Sequence, residues 1–398
     1  MLSAYSKRDY VPWLLVFAMC FTWIVLSYAT GTSLLDPTSF NSYSRQAMAW
    51  RQGLMHLPQD VPHLELAVYQ GEYYVSFPPL PSVMLWPLTF IFGMDTPDNL
   101  LVKLYALAAC LMMYFSLRQA GYSPVSGGLF AFFFCFSSSM LPLTMSGAVW
   151  YHAQVLAFML TVFSVCFLCR DMPAASLLCC ALAVGCRPFN ALYLIPLLLS
   201  YRLIQRRAGM SFRDTFNRLY WGLYLGFCVA LALGLYNYLR FGNPLEFGHN
   251  YLPEFSTQGG VQFSIEQIGK NAKTFLWGWP LKTVNRTTQF EQYGYSMLLA
   301  CPTLSLMLFW AVRDCRRGAM RWEKAAVLLT CLLHVFFLLQ HRTFGGFQLG
   351  ARYAVDLVPY SFLYLMLTPE KKRIDRWEAA LLAAVFLFTC VGFTEVHV

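Results

Sequence analysis

The chain is expected to fold as an all-α polytopic membrane protein. Three observations lead there. Of its 398 residues, 58% are hydrophobic and 12% are charged, about half the charged share of a soluble domain. Apolar runs near the length that crosses a bilayer recur along the chain. Two long polar stretches, 30–97 and 240–295, interrupt them. A single integral-membrane domain, 1–398, follows, with these stretches as its large outer loops.

The first apolar run covers about 11–29, behind Lys7 and Arg8. No small-residue cleavage site follows it, so it is read as an uncleaved helix with a cytoplasmic N-terminus. The first outer loop then carries Asp36, Arg45, Arg51, Asp60, Glu65 and Glu72. The run at 79–93 is short and holds Pro79, Pro81 and Pro87. Further runs lie at about 98–117, 125–141, 149–169, 173–186, 188–201, 219–239, 296–312, 324–340, 351–367 and 377–393.

Parity tests this series. The basic loops 202–218, 313–324 and 371–376 belong in the cytoplasm. They all reach it when 79–93 lies along or dips into the outer surface as a juxtamembrane or re-entrant helix. About 11 spans result. The stretch 173–201 is short for two spans. Its break at Gly185-Cys186-Arg187-Pro188 predicts two short or broken helices meeting in a polar cavity.

Composition also narrows the function. The net charge of +9 does not require a nucleic-acid partner, because basic residues gather in cytoplasmic loops. The 13 cysteines sit almost entirely in apolar runs, and no CxxC pair stands beside a histidine cluster. Neither a disulfide framework nor a metal site is expected, and no cofactor.

Several residues stand out. Glu65 opens a tyrosine-rich run with Tyr69, Tyr73 and Tyr74 that ends in Pro78-Pro79. Tyrosines can present rings and hydroxyls to a polar ligand. Asp36 precedes Pro37 just past the first span, where capping is an equally good account. Arg45 faces either a phosphate or lipid headgroups. His152, near the outer end of a span, is a functional candidate or a packing residue. Arg187 is costly to bury alone, so it binds phosphate or joins an ion pair. Arg352 and Asp356, four apart, would share a helix face and can pair. Glu246 and His249 are three apart in the second outer loop, where a turn explains them as well as a site does.

Four stretches together resemble the GT-C superfamily of integral-membrane glycosyltransferases. The resemblance is to bacterial members related to protein mannosyltransferases and aminoarabinose transferases. The stretches are Tyr43 to Gly53, Tyr73 to Pro81, Asn237 to Tyr251 and Gly350 to Pro359. The resemblance implies transfer of a sugar from a polyprenyl-phosphate carrier to a lipid or glycan acceptor at the outer face of a bacterial inner membrane. It also implies a catalytic acid in the first outer loop. The position before Tyr43 that often carries that acid holds Asn41 and Ser42 here, a departure that leaves a noncatalytic lipid-binding protein as one alternative.

The chemistry implies specific groups. An acceptor hydroxyl attacking an anomeric carbon needs a base, and Glu65 or Asp36 is the expected carboxylate. The departing phosphate needs cations, and arginine offers a planar donor fork. Arg45, Tyr69, Tyr73, Tyr74, His152, Arg187, Glu246, His249, Arg352 and Asp356 are the expected substrate-binding residues. A lipid-linked oligosaccharide transporter is the competing class, but its paired broken helices are matched here by one break only.

Overall fold

The computed structural model describes residues 9–256 and 261–397. Lys7 and Arg8, which orient the first expected span, lie outside them. The chain is helical with two small hairpins. In order come α1 (Val11–Thr30), α2 (Ser42–Arg51), strands β1 (Leu66–Tyr69) and β2 (Glu72–Val75), α3 (Leu80–Phe92), α4 (Asp98–Gln119), α5 (Pro124–Phe136), α6 (Met140–Leu143) and α7 (Val149–Cys169). Then follow α8 (Pro173–Val184), α9 (Leu194–Arg207), α10 (Phe212–Phe241), α11 (Pro253–Ser256) and α12 (Ile268–Trp277). The chain closes with β3 (Leu281–Val284), β4 (Thr287–Phe290), α13 (Met297–Ala300), α14 (Pro302–Arg316), α15 (Trp322–Leu338), α16 (Val358–Met366) and α17 (Arg376–His397).

Every expected apolar run becomes helical. Among the described residues five helices, α1, α4, α7, α10 and α17, are long and apolar enough to cross a membrane. The helix α3, at 13 residues, matches the short run expected beside the surface. The centre is α7, 83% buried over its most apolar window and packed against α4 and α8. By contrast α10 is 11% buried and shows Phe216, Tyr220, Trp221, Phe227, Leu231 and Leu235 to the outside. An apolar helix with so little protein contact needs lipid around it.

The first long polar stretch has its own small core of Tyr43, Leu57, Val61, Leu64, Leu66, Val75, Phe77 and Leu85. Val149 and Ala153 in the first turns of α7 belong to the same cluster, which fastens the stretch to the centre of the bundle. Within it β1 and β2 pair antiparallel, with Tyr69 opposite Glu72. Gln70 and Gly71 have φ of 52° and 84°, the two left-handed positions that a tight primed turn demands.

Candidate functional site

The site begins at the predicted helix break. After α8, Pro188 cannot continue the hydrogen-bond ladder, and Arg187 before it is extended, with φ −142° and ψ 104°. Pro188–Tyr193 forms a 3-10 helix that leads into α9. The break leaves few polar groups stranded. Cys186 and Arg187 N–H groups donate to the Ala183 carbonyl, and the Leu80 N–H donates to the Gly185 carbonyl at 3.0 Å. The turn thus holds Arg187 at the edge of a cavity of about 290 Å³.

A second break supplies the opposite wall. Arg352–Leu357 is a 3-10 helix. The Arg352 N–H donates to Gln348 Oε1 at 2.8 Å, and Gln154 of α7 donates to the Arg352 carbonyl at 3.1 Å. Gly345 has φ of 99°, and a Cβ there would stand 2.9 Å from Arg352 Nε. Only glycine lets that loop lie against the guanidinium.

These breaks correct one expectation. Arg352 and Asp356 do not pair, because the segment is a 3-10 helix, in which residues four apart no longer stack on one face. Asp356 instead accepts from Arg187 Nη2 at 2.8 Å and Nε at 3.0 Å. Among the described residues Arg352 Nε is buried without a hydrogen-bond partner. The guanidiniums of Arg187 and Arg352 lie 5.0 Å and 5.2 Å from the same Tyr353 ring. Two cations share one aromatic ring and Asp356 pairs with only one of them, so the cage carries unbalanced positive charge.

The second long polar stretch completes the wall with Leu245, Glu246, Phe247, His249 and Asn250. Glu246 accepts from the Gly248 N–H at 2.6 Å and from Asn250 Nδ2 at 2.7 Å, which fixes the turn that presents His249. Burial and then the charge of Arg187 pull the His249 imidazole down to about 4. His341, also in the wall, is drawn down to about 3 by burial, then by His249, Arg187 and Arg352.

Other expected residues fall at different distances from this cavity. Glu65 is exposed beside it, its carboxylate accepting from Nε1 of the wall residue Trp150 at 2.9 Å. Burial and then the charge of Glu65 raise the Glu254 carboxyl, against the opposing charge of Arg342. Asp36 is exposed and accepts from the Ser33 hydroxyl at 2.8 Å. Arg45 donates to Asn41 Oδ1 at 2.8 Å, one turn back on α2.

None of the three tyrosines lines the cavity. Pairing of β1 with β2 puts Tyr69 and Tyr74 on one hairpin face and Tyr73 on the other. Tyr69 and Tyr74 pack on Phe241, with ring centroids 5.6 Å and 5.2 Å away. Tyr73 packs into the small core of the first loop. His152 is fully buried one residue before the wall residue Ala153, edge-on to Tyr43 and Tyr105. Neither of its ring nitrogens has a hydrogen-bond partner.

Sequence reasoning missed Phe189, Gln262, Phe263, Leu338 and His341 in the wall. Phe189 follows the flagged break and was within reach. The others gave no local signal, because a long-range bridge between Phe263 and His341 brings them together.

Apolar grooves adjoin the cavity. A groove of about 570 Å³ shares Leu245 and Phe247 with it and runs along Leu231, Leu235 and Tyr238 of α10. A further groove of about 310 Å³ lies between α8 and α10. The two grooves share Val184, Phe227, Ala230 and Leu233. Gly222 and Gly226, one turn apart, make room beside α8.

No family model matches the chain, and no curated protein sequence does. Solved structures do match. The apo oligosaccharyltransferase of Archaeoglobus fulgidus aligns over 98% of this chain and 56% of its own, at 12% identity and a TM-score of 0.54. ArnT from Cupriavidus metallidurans, solved with undecaprenyl phosphate bound, aligns over 96% of this chain and 76% of its own, at 12% identity and a TM-score of 0.53. The chain thus spans just over half the length of the first and three quarters of the second. Both neighbours are GT-C membrane glycosyltransferases, and this chain has their fold.

Proposed function

We propose that the chain transfers a sugar from a polyprenyl-phosphate carrier to an acceptor at the outer face of the membrane. The observation that carries this reading is the pair of guanidiniums on Tyr353, opening into a cavity that runs on through Leu245 and Phe247 into apolar grooves. A phosphate suits the cage, since planar guanidiniums donate in pairs to its oxygens. An isoprenoid suits the grooves, and membrane lipid reaches them along the exposed face of α10.

Arg352 is the principal phosphate ligand in this reading, because Asp356 already offsets Arg187. The sugar lies toward Trp150, Phe189 and Phe263, whose rings can stack on its apolar face. The acceptor enters near Glu65 and Glu254. Of the two first-loop carboxylates proposed for catalysis, Glu65 has a position in its favour, beside Trp150. Asp36 has only its place in the sequence. The shorter helices, with the five long ones, complete about 11 crossings, and the N-terminus lies in the cytoplasm. The neighbour's bound undecaprenyl phosphate supports the donor class by analogy of fold.

The test uses the purified protein in lipid nanodiscs. Undecaprenyl phosphate should bind at least tenfold more tightly than undecaprenol, which has the same tail without the phosphate. The protein should then release undecaprenyl phosphate from at least one member of a panel of polyprenyl-phosphate sugars. Equal affinity for the two lipids removes the carrier reading.

A further inference from the structure

Transfer to a hydroxyl releases a proton, and the cavity's own carboxylates are engaged. Asp356 is held by Arg187. Both oxygens of Glu246 hold its loop, one on the Gly248 N–H and the other on Asn250. Glu65 is bound by Trp150 from outside the wall.

His249 is placed differently. Its ring lies in the wall, edge-on to Phe77 at 5.3 Å between centroids. Gly248, with φ of 101°, brings this turn against the first loop, where a Cβ would stand 3.4 Å from Ser76 Cα. The Ser76 backbone lies within electrostatic reach of the ring. A ring N–H turned toward its carbonyl leaves the other nitrogen its lone pair. His341 differs, since its Nδ1 accepts from the Phe344 N–H at 3.3 Å and its Nε2 meets Gln262 at 3.3 Å.

We propose that His249 is the base of the transfer, oriented by the Ser76 carbonyl. This rests on the glycosyl-transfer reading. The acceptor oxygen bonds to the anomeric carbon as the bond from that carbon to the phosphate oxygen breaks. The electron pair of the broken bond stays on the phosphate, which becomes a monoester dianion. The acceptor's proton passes to the lone-pair nitrogen of His249. The products are then an imidazolium and a dianion in one cavity, and they attract.

The surrounding charges suit this role. Arg187, Arg240 and His341 face His249 from three other parts of the fold, and Glu246 shares its loop. Burial first, and then the charges of Arg187 and Arg240, keep the empty site's imidazole neutral at pH 7, with a basicity near that of an ordinary carboxylate. A bound dianion opposes the arginines and favours the protonated ring.

The experiment is calorimetric titration of undecaprenyl phosphate into the nanodisc-embedded protein at pH 8, in buffers of different ionisation enthalpy. At that pH the lipid phosphate arrives as a dianion. The parent should take up a proton on binding, approaching one per lipid. His249→Gln should bind the lipid and lose the uptake, while Glu65→Gln keeps it. Equal uptake by His249→Gln and the parent overturns the proposal, as does loss of uptake in Glu65→Gln alone. Should His249→Gln fail to fold, nitrogen NMR of the histidine rings in the parent serves instead. The His249 ring should become doubly protonated with lipid bound, and a ring that stays neutral overturns the proposal. Absence of lipid binding by the parent removes the donor reading as well, a different outcome from binding without uptake.

Discussion

Arg187 and Asp356 meet across 169 residues of chain, with Nη2 and Nε of the arginine 2.8 and 3.0 Å from one carboxylate oxygen. This pair joins the two helix breaks that make the cavity. The Tyr193 hydroxyl adds a bond to the Asp356 carbonyl at 2.8 Å. Removing one partner of a buried pair leaves the other charge uncompensated, at a cost of about 3–5 kcal/mol. Asp356→Ala should therefore lower stability by that order, read as a drop in thermal midpoint in detergent. A midpoint equal to the parent's would mean the pair holds nothing together.

Arg352 should behave differently. Among the described residues its Nε has no hydrogen-bond partner and the guanidinium rests on the Tyr353 ring, so Arg352→Ala should cost less stability than Asp356→Ala, about 1–2 kcal/mol. It should weaken undecaprenyl phosphate binding by about 10- to 150-fold, equivalent to about 1.5–3 kcal/mol for a charge-assisted bond. A well-folded variant with the parent's affinity would move the phosphate elsewhere.

The groove can be filled from α10. Ala230 borders both apolar grooves, and Ala230→Phe should displace part of a long tail. Losing contact with about two methylenes, at ~0.8 kcal/mol each, costs about tenfold in affinity. Undecaprenyl phosphate should bind about tenfold more weakly, and geranyl phosphate unchanged. An equal loss for both lipids would point to a distorted cavity.

Turnover separates the two candidate bases. General-base catalysis contributes about 10²–10⁴-fold. His249→Gln should lose that much in kcat with little change in donor affinity, whereas Glu65→Gln should lose less than about tenfold. The reverse order would return the role to the first-loop carboxylate.

Acid should destabilise the fold. His249 and His341 titrate near 4 and 3 in the folded chain and near 6.5 when unfolded. Between those values the unfolded chain binds more protons, so stability present above pH 6.5 is lost as pH falls toward 4. The thermal midpoint of His341→Gln should fall less over that interval than the parent's.

Much of the frame was legible because hydropathy is a local signal. The run at 149–169 coincides with α7, and the Gly185-to-Pro188 break lies where proline forbids a ladder. The polar cavity beside that break followed from the shortness of 173–201 and the interruption of its helices. What was not legible depends on partners far away in sequence. Nothing near Asp356 announces Arg187, and a pattern four residues long suggested Arg352 instead. The alternation from Leu66 to Val75 around Gln70-Gly71 did carry a hairpin signal. Reading that stretch only for its tyrosines hid their division between two faces.

The sparsely covered helix α10 bears on kinetics. With 11% of its most apolar window buried, it leaves the grooves beside α8 open sideways. In the proposed reaction a carrier then arrives and departs by diffusion in two dimensions, its tail never leaving hydrocarbon. The relevant donor concentration becomes molecules per area of leaflet. Thinning that leaflet's carrier pool slows the enzyme even when total cellular carrier is unchanged, and spent carrier left in the same leaflet competes directly with fresh donor for the groove.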